Sequence, residues 1–272
     1  MSLRVILVIT AVVLAFAAAR SFTRIKTTGA PWGSSARNGD DIITLITRLE
    51  PYTPSLHRNP GNDRYTTGLL IHSARDSSMH RFVPIATGQT ANSLGLSRIT
   101  GTEGGVVRFR APEEGAYDLR ARSMIAADGF RQLPADQPRS AQDVLADLAT
   151  GEDALKPWLN ATDTAGGKYR AAFVRANRSG ENLVLAGGGD LLIWETKPYR
   201  SGSVMAARVD STGTVKWSVD TGIGDLRQVL PDPAMPAFVG ERPKVPDKLS
   251  EPILVIVDAA TGRVTTRSLW LK

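Results

Sequence analysis

From Gly68 onward the apolar residues come in short runs, broken by clusters of Gly, Asp, Ser and Pro. GLLIHSA and MHRFVPIATG flank RDSS, and VVRFRA and AYDLRARSM flank PEEG, with Val107, Phe109, Tyr117 and Leu119 at alternating positions. NLVLA and LLIWE flank GGGD, SVMAARV and TVKWSVD flank DSTG, and ILVIV and RVTTRSLWL flank DAATG. Successive side chains of a strand point to opposite faces, so period-two alternation between turn residues predicts antiparallel hairpins. In the first hairpin, a DSSM loop sets Arg75 opposite His80 and His72 opposite Val83, which keeps the two imidazoles apart.

Two stretches follow a helical period instead. In DIITLITRLEP, Ile42, Leu45, Ile46 and Leu49 recur at helix spacing behind a capping Asp40 or Asp41 and ahead of Pro51. In PRSAQDVLADLATGEDALKPWLN, Val144, Leu145, Leu148 and Leu155 do the same, with Ser140 and Asp143 at capping-box positions. The second reads as a helical insertion between two β regions.

The turn acids at Asp76, Glu113, Asp163, Asp210 and Asp258 are spaced by roughly 37, 50, 47 and 48 residues. A period of about 40–50 residues with several strands in each is that of propeller blades. One four-stranded unit runs from Asn182 to Asp220 as NLVLAG, LLIWET, SVMAARV and TVKWSVD. A second runs from LRQVL through AFVGE to EPILVIV and RVTTRSLWL. The fold class expected is mainly β, with β-propeller-like antiparallel repeats, complete or not, a short helical insertion and an N-terminal apolar helix.

That apolar helix is VILVITAVVLAFAAA, Val5 to Ala19, bounded by Arg4 and Arg20. At about 15 residues it falls short of the ~20 that span a bilayer. It fits a secretory signal with an A-x-A site at Ala15-Phe16-Ala17 or Ala17-Ala18-Ala19, and equally a tilted, uncleaved anchor extended by Leu3 and Phe22. Arg20, Arg24 and Lys26 after the run argue against translocating the C-terminal body, but a short signal-like run ordinarily initiates export. The expected organisation is therefore residues 1–22 as signal or anchor and 23–64 as linker with a short helix. Residues 65–138 form a first β region, 139–160 the helical insertion and 161–272 a second β region. The expected location is the cell envelope, periplasmic or membrane-anchored and facing outward.

The chain has no cysteine, which excludes disulfides, thiolate nucleophiles, zinc-thiolate sites and lipoprotein acylation. Its net charge of +6 comes from scattered arginines rather than a basic run interleaved with aromatics. No nucleic-acid partner is expected; a basic surface facing anionic lipid or polymer is. Partners expected are a membrane, through the N-terminal segment if uncleaved, and a protein or envelope polymer.

Ala207, Asp210, Thr212, Gly213 and Trp217, in AARVDSTGTVKW, follow the order Ala, turn Asp, Thr-Gly, Trp. Asp258, Thr261 and Gly262, in VDAATGRVT, repeat part of it, with Ile256 and Thr266 at the Ala and Trp positions. This order resembles the blade repeat of quinoprotein-like β-propellers, the pyrroloquinoline-quinone repeat proteins, over about 90 C-terminal residues. The resemblance implies that the Asp accepts turn N–H bonds, Thr adds another, Gly closes the turn and Trp packs flat between blades. On that reading Trp217 is largely buried. Enzymes of that family also bind quinone and calcium through acidic, amide and often vicinal cysteine groups, and none of these maps onto this chain.

Other candidate chemistry is thin. His57, His72 and His80 read as solvated histidines, not a metal site. Gly187-Gly188-Gly189-Asp190 lacks GxxxxGK[ST] and precedes a strand where a phosphate site needs a helix. There is no G-x-S-x-G elbow. Glu113-Glu114 and Glu152-Asp153 read as solvated, and the sequons at Asn160 and Asn177 match a pattern that often arises by chance and carries no weight if the source is bacterial. No catalytic residue, metal or cofactor is assigned. The expected function is a non-enzymatic envelope binding or scaffold protein, with a quinoprotein-type oxidoreductase or a hydrolase with a loop-borne site as alternatives.

Overall fold

The computed structural model describes residues 27–28, 35–49, 64–76, 78, 80–89, 97–111, 113–125, 171–174, 176, 181–196, 202–243, 245 and 250–270. Among them there is no helix; the secondary structure is all strand, in four antiparallel sheets. The apolar segment 1–22 and the helix-patterned segment 139–160 lie outside the described residues.

The first sheet holds β1 (Thr27–Thr28), β2 (Ser35–Asn38), β3 (Asp41–Leu49), β4 (Tyr65–Ser73) and β5 (His80–Gln89). Both β1 and β2 pair with β3, end to end, so the sheet is effectively a meander. The second holds β6 (Arg98–Glu103), β7 (Val106–Arg110), β8 (Glu114–Asp118) and β9 (Ser123–Ile125). The third holds β10 (Ala171–Phe173), β11 (Asp190–Glu195), β12 (Val204–Val209) and β13 (Val215–Asp220). The fourth holds β14 (Asp225–Leu230), β15 (Ala237–Glu241), β16 (Pro252–Val257) and β17 (Val264–Ser268). In the last three sheets each strand pairs only with its neighbours in sequence.

Three expectations are corrected by the strand pairing. DIITLITRL is the strand β3, not a helix, and it is a full member of the first sheet rather than part of a linker. Ile42 and Ile46 pack toward the fourth sheet while Ile43 and Leu45 pack toward the second, so β3 is buried on both faces. A strand covered on both sides loses its alternation, and its apolar residues then fall by chance on a helical period. The residues read as a helix cap belong to the hairpin turn before it: Asn38 pairs with Asp41, and Gly39 takes φ +60°. NLVLA, read as the first strand of the third sheet, contributes only an isolated bridge from Val184 to Asp190; β10 is the strand that pairs with β11. Finally, His72 pairs directly with His80, because β4 ends at Ser73 and the connection to β5 takes up Ala74 and Arg75 as well as the expected four-residue loop.

The cores define which sheets touch. Ile43, Leu45, Leu69 and Ile71 of the first sheet pack with Ile99, Val107, Phe109 and Tyr117 of the second. Ile42, Ile46 and Leu70, on the other face, pack with Leu230, Val239, Leu254 and Ile256 of the fourth. The far face of the fourth sheet, with Phe238, Ile253, Val255 and Val257, packs on Leu191, Ile193, Val204 and Ala206 of the third. The spatial order is thus second, first, fourth, third: the last sheet in sequence closes against the first.

Candidate functional site

Every sheet carries an aspartate at or just past the end of its third strand, and in each case Oδ1 caps the turn. Asp76 Oδ1 accepts from Ser78 N at 2.9 Å and Ser78 Oγ at 2.7 Å. Asp118 Oδ1 accepts from Arg120 N and Ala121 N, both at 2.8 Å. Asp210 Oδ1 accepts from Thr212 N at 2.9 Å, Thr212 Oγ1 at 2.6 Å and Thr214 N at 2.9 Å. Asp258 Oδ1 accepts from Ala260 N at 3.0 Å, Thr261 N at 2.9 Å and Thr261 Oγ1 at 3.0 Å.

The second of these replaces Glu113 in the repeat. Its turn, Asp118-Leu-Arg-Ala-Arg122, lacks the glycine that marks the turns at Asp210 and Asp258; Arg122 itself takes the left-handed conformation, φ 56°. That absence hid the turn in the sequence. Asp163 lies outside the described residues.

Hydrogen bonding to the ionised form holds two of these carboxyls below the ordinary range. For Asp210 the largest cause is Lys216, whose Nζ lies 2.8 Å from Oδ2, followed by Thr212 and Thr214. For Asp258 it is the Thr261 backbone N–H, opposed by burial and reinforced by the Thr261 hydroxyl and the Ala260 N–H. Gly213 and Gly262 close their turns at φ +89° and +73°.

The two copies of the repeat meet in space. Trp217, on β13, lies against Gly262 of the next sheet: a Cβ there would stand 2.8 Å from the indole Cγ. Its Nε1 donates to Ala259 O at 2.9 Å, and Arg208 Nη1 reaches the same carbonyl at 3.4 Å. Trp217 is half-buried, not largely buried, packed against the core that the third and fourth sheets share, and Trp194 is the more deeply buried of the two. Ala207 is fully buried beside Leu192, Trp194 and Val209.

The same kind of contact recurs at the other seams. Arg81, on the last strand of the first sheet, stacks its guanidinium 5.6 Å from the ring centroid of Tyr117, the residue before Asp118. Arg267, on the last strand of the fourth sheet, donates from Nη2 to Asp76 O at 3.2 Å in the turn of the first. In three seams, then, a side chain from a last strand docks on the aspartate turn of the neighbouring sheet.

The first strands are joined too. Gln228 on β14 accepts from Ser35 N at 3.1 Å and donates to Ser35 O at 2.6 Å, so its amide completes the backbone pairing of β2. Thr102 Oγ1 on β6 donates to Arg37 O at 3.1 Å. Arg37 in turn donates to Met235 O at 2.6 Å and pairs with Asp232 at 3.2 Å. Sequence reading missed Gln228 and Arg37, since a polar residue at a sheet-to-sheet contact leaves no periodic trace.

His72 is buried, and its ring centroid is 6.2 Å from that of His80, tilted by 32°. The expected solvated, separated histidines are therefore a facing pair with one member inside. Burial, Arg267 and His80 push the His72 imidazole down to about 4. Among the described residues no group of three or more His, Asp or Glu side chains is placed to hold a metal ion.

No family model matches the chain, and no curated protein matches it. Among solved structures it is similar to the β-propeller domain of the Trilobed protease from Pyrococcus furiosus, at 13% identity over 92% of this chain, with a TM-score of 0.23. The chain spans 59% of the length of that structure. It is also similar to a glycosyl hydrolase from Bacteroides ovatus, at 12% identity over 88% of this chain and 70% of that one, with a TM-score of 0.22. A third similar structure comes from the GH130 family of mannoside phosphorylases, which contains glycoside hydrolases that target β-1,2 mannosidic linkages in Candida mannan; it is 11% identical over 88% of this chain and 70% of that one, with a TM-score of 0.23. With scores this low, the architecture rests on the chain's own sheets and seams.

Proposed function

We propose that this chain is a non-enzymatic binding or scaffold protein of the cell envelope, with a β-propeller-like body delivered or anchored by residues 1–22. The observation that carries the reading is the seam between the fourth and first sheets. It repeats the contact made between the third and fourth, as blades around one axis do. Turns capped by their own aspartates, and first strands tied by Gln228 and Thr102, make a rigid platform. The polar repeat positions Asp210, Thr212, Asp258 and Thr261 are engaged within their own turns, which is a structural role.

The partner class favoured by a net charge of +6 and a pI near 9.8 is an anionic envelope polymer. A surface of this kind binds through screened Coulomb attraction, so retention on an immobilised polyanion should be strong at low ionic strength and fall steeply as salt rises. Protease added to spheroplasts should digest the body, which a cytoplasmic protein would escape. A body that is protected in spheroplasts and flows through a polyanion column at low salt would remove both halves of the proposal.

A further inference from the structure

The seam between the first and fourth sheets contains an arrangement that the turns and first-strand contacts do not explain. Alternation along β4 puts His72 on the same face as Leu70 and Ala74, which pack toward the fourth sheet. Across from it, Arg267 shares the face of Leu269, which packs in the same cluster. Both nitrogens of His72, together with Nε and Nη1 of Arg267, are buried with no hydrogen-bond partner. His80 lies directly opposite His72 in the pairing of β4 with β5.

Among the described residues, the other groups around His72 offer no counter-charge at the ring. From β3 comes Ile42, and from β15 and β16 come Ala237, Val239, Leu254 and Ile256. Asp76 offers its backbone carbonyl and the attraction of its carboxylate to Arg267, not to His72, and its Oδ1 accepts from Ser78. Arg75 and Asp40 pair with each other, 2.9 Å apart, at the exposed end of the seam. Arg37 and Asp232 pair at 3.2 Å where β2 meets the fourth sheet. A neutral imidazole fits this pocket; an imidazolium would set a second full charge beside Arg267 without a partner.

We propose that the seam between the first and fourth sheets is an acid-released latch, closed while His72 is neutral and opened when His72 takes up a proton. The sign follows from linkage. The closed seam holds the imidazole at about 4, whereas a solvated imidazole takes its proton near 6.5. Stability from the closed seam is therefore fully present above 6.5 and lost progressively as pH falls toward 4. The opening equilibrium rises by about 30-fold by pH 5 and by about 300-fold at its limit. Carboxylates such as Asp210 and Asp258, held low, act only below this window.

Hydrogen exchange measured from pH 7 to 4.5, corrected for the intrinsic rate, reads the opening directly. Protection should fall with pH in β4, β5 and β17 while β11 to β13 keep theirs, and His72→Phe should abolish the pH dependence. Should that variant fail to fold, His80→Gln serves instead: removing the His80 imidazole, which disfavours the protonated form of His72, raises the closed-state imidazole and shrinks the pH effect. The C–H proton resonances of His72 in the intact protein should titrate near 4. A His72 midpoint near 6.5, or equal loss of protection in all four sheets, overturns the proposal.

Discussion

Trp217 and Gly262 stand for how single residues hold this chain together. Gly262 is required twice, by a φ of +73° and by the indole ring that a Cβ would strike. Gly262→Ala should cost about 2–4 kcal/mol, combining left-handed strain with overpacking. Trp217→Ala should cost about 2–3 kcal/mol, below the 3–5 typical of a fully buried aromatic because the ring is half-buried. The double variant should lose about 1 kcal/mol less than the sum, since removing the ring removes the clash. Urea melts of the four proteins give the coupling, and strict additivity would mean that the two residues do not touch. The turns themselves were legible in the sequence: Asp210, Thr212 and Gly213, and Asp258, Thr261 and Gly262, lie in the two reversals that the runs DSTG and DAATG mark. That Trp217 docks on the other copy's glycine was not legible, because it depends on two sheets 45 residues apart in sequence coming face to face.

Among the elements, β2 and β3 show where sequence reading fails and why. Outer strands with one open face, such as β13 paired on β12, betray themselves by alternation, and their limits were readable within a residue or two. β3 is sandwiched between two other sheets, so Ile42, Ile43, Leu45 and Ile46 form a nearly continuous run whose period carries no information. β2, only four residues long and polar, was invisible for a different reason: its partners are distant in sequence, among them Gln228, 193 positions from Ser35. Gln228→Leu keeps the volume roughly constant but strands the N–H and C=O of the fully buried Ser35. At about 1–3 kcal/mol for each of the two orphaned groups, the urea midpoint should drop by the equivalent of about 2–6 kcal/mol with the slope unchanged. A loss under about 0.5 kcal/mol would mean that β2 is not held by this amide.

At the scale of the whole molecule, the chain's arrangement hangs on one fact: its last sheet packs on its first. The repeated aspartates lie 42, 92 and 48 residues apart, and the long step falls between the second and third sheets, the pair for which no shared core is formed among the described residues. Repetition was visible in the sequence from the turn spacing alone, but the cyclic neighbour relation was not, since no local pattern says which distant sheet covers which. Because the chain has no native cysteine, this relation is open to a clean test. In a chain carrying Asp76→Cys and Arg267→Cys, a short bismaleimide should join the β4–β5 turn to β17 within one monomer, identified by peptide mapping at pH 7. Ala121→Cys with Arg267→Cys, on sheets that share no core, should give no such link. Cross-links that form only between molecules, or equally in both pairs, would contradict the closure of the fourth sheet on the first.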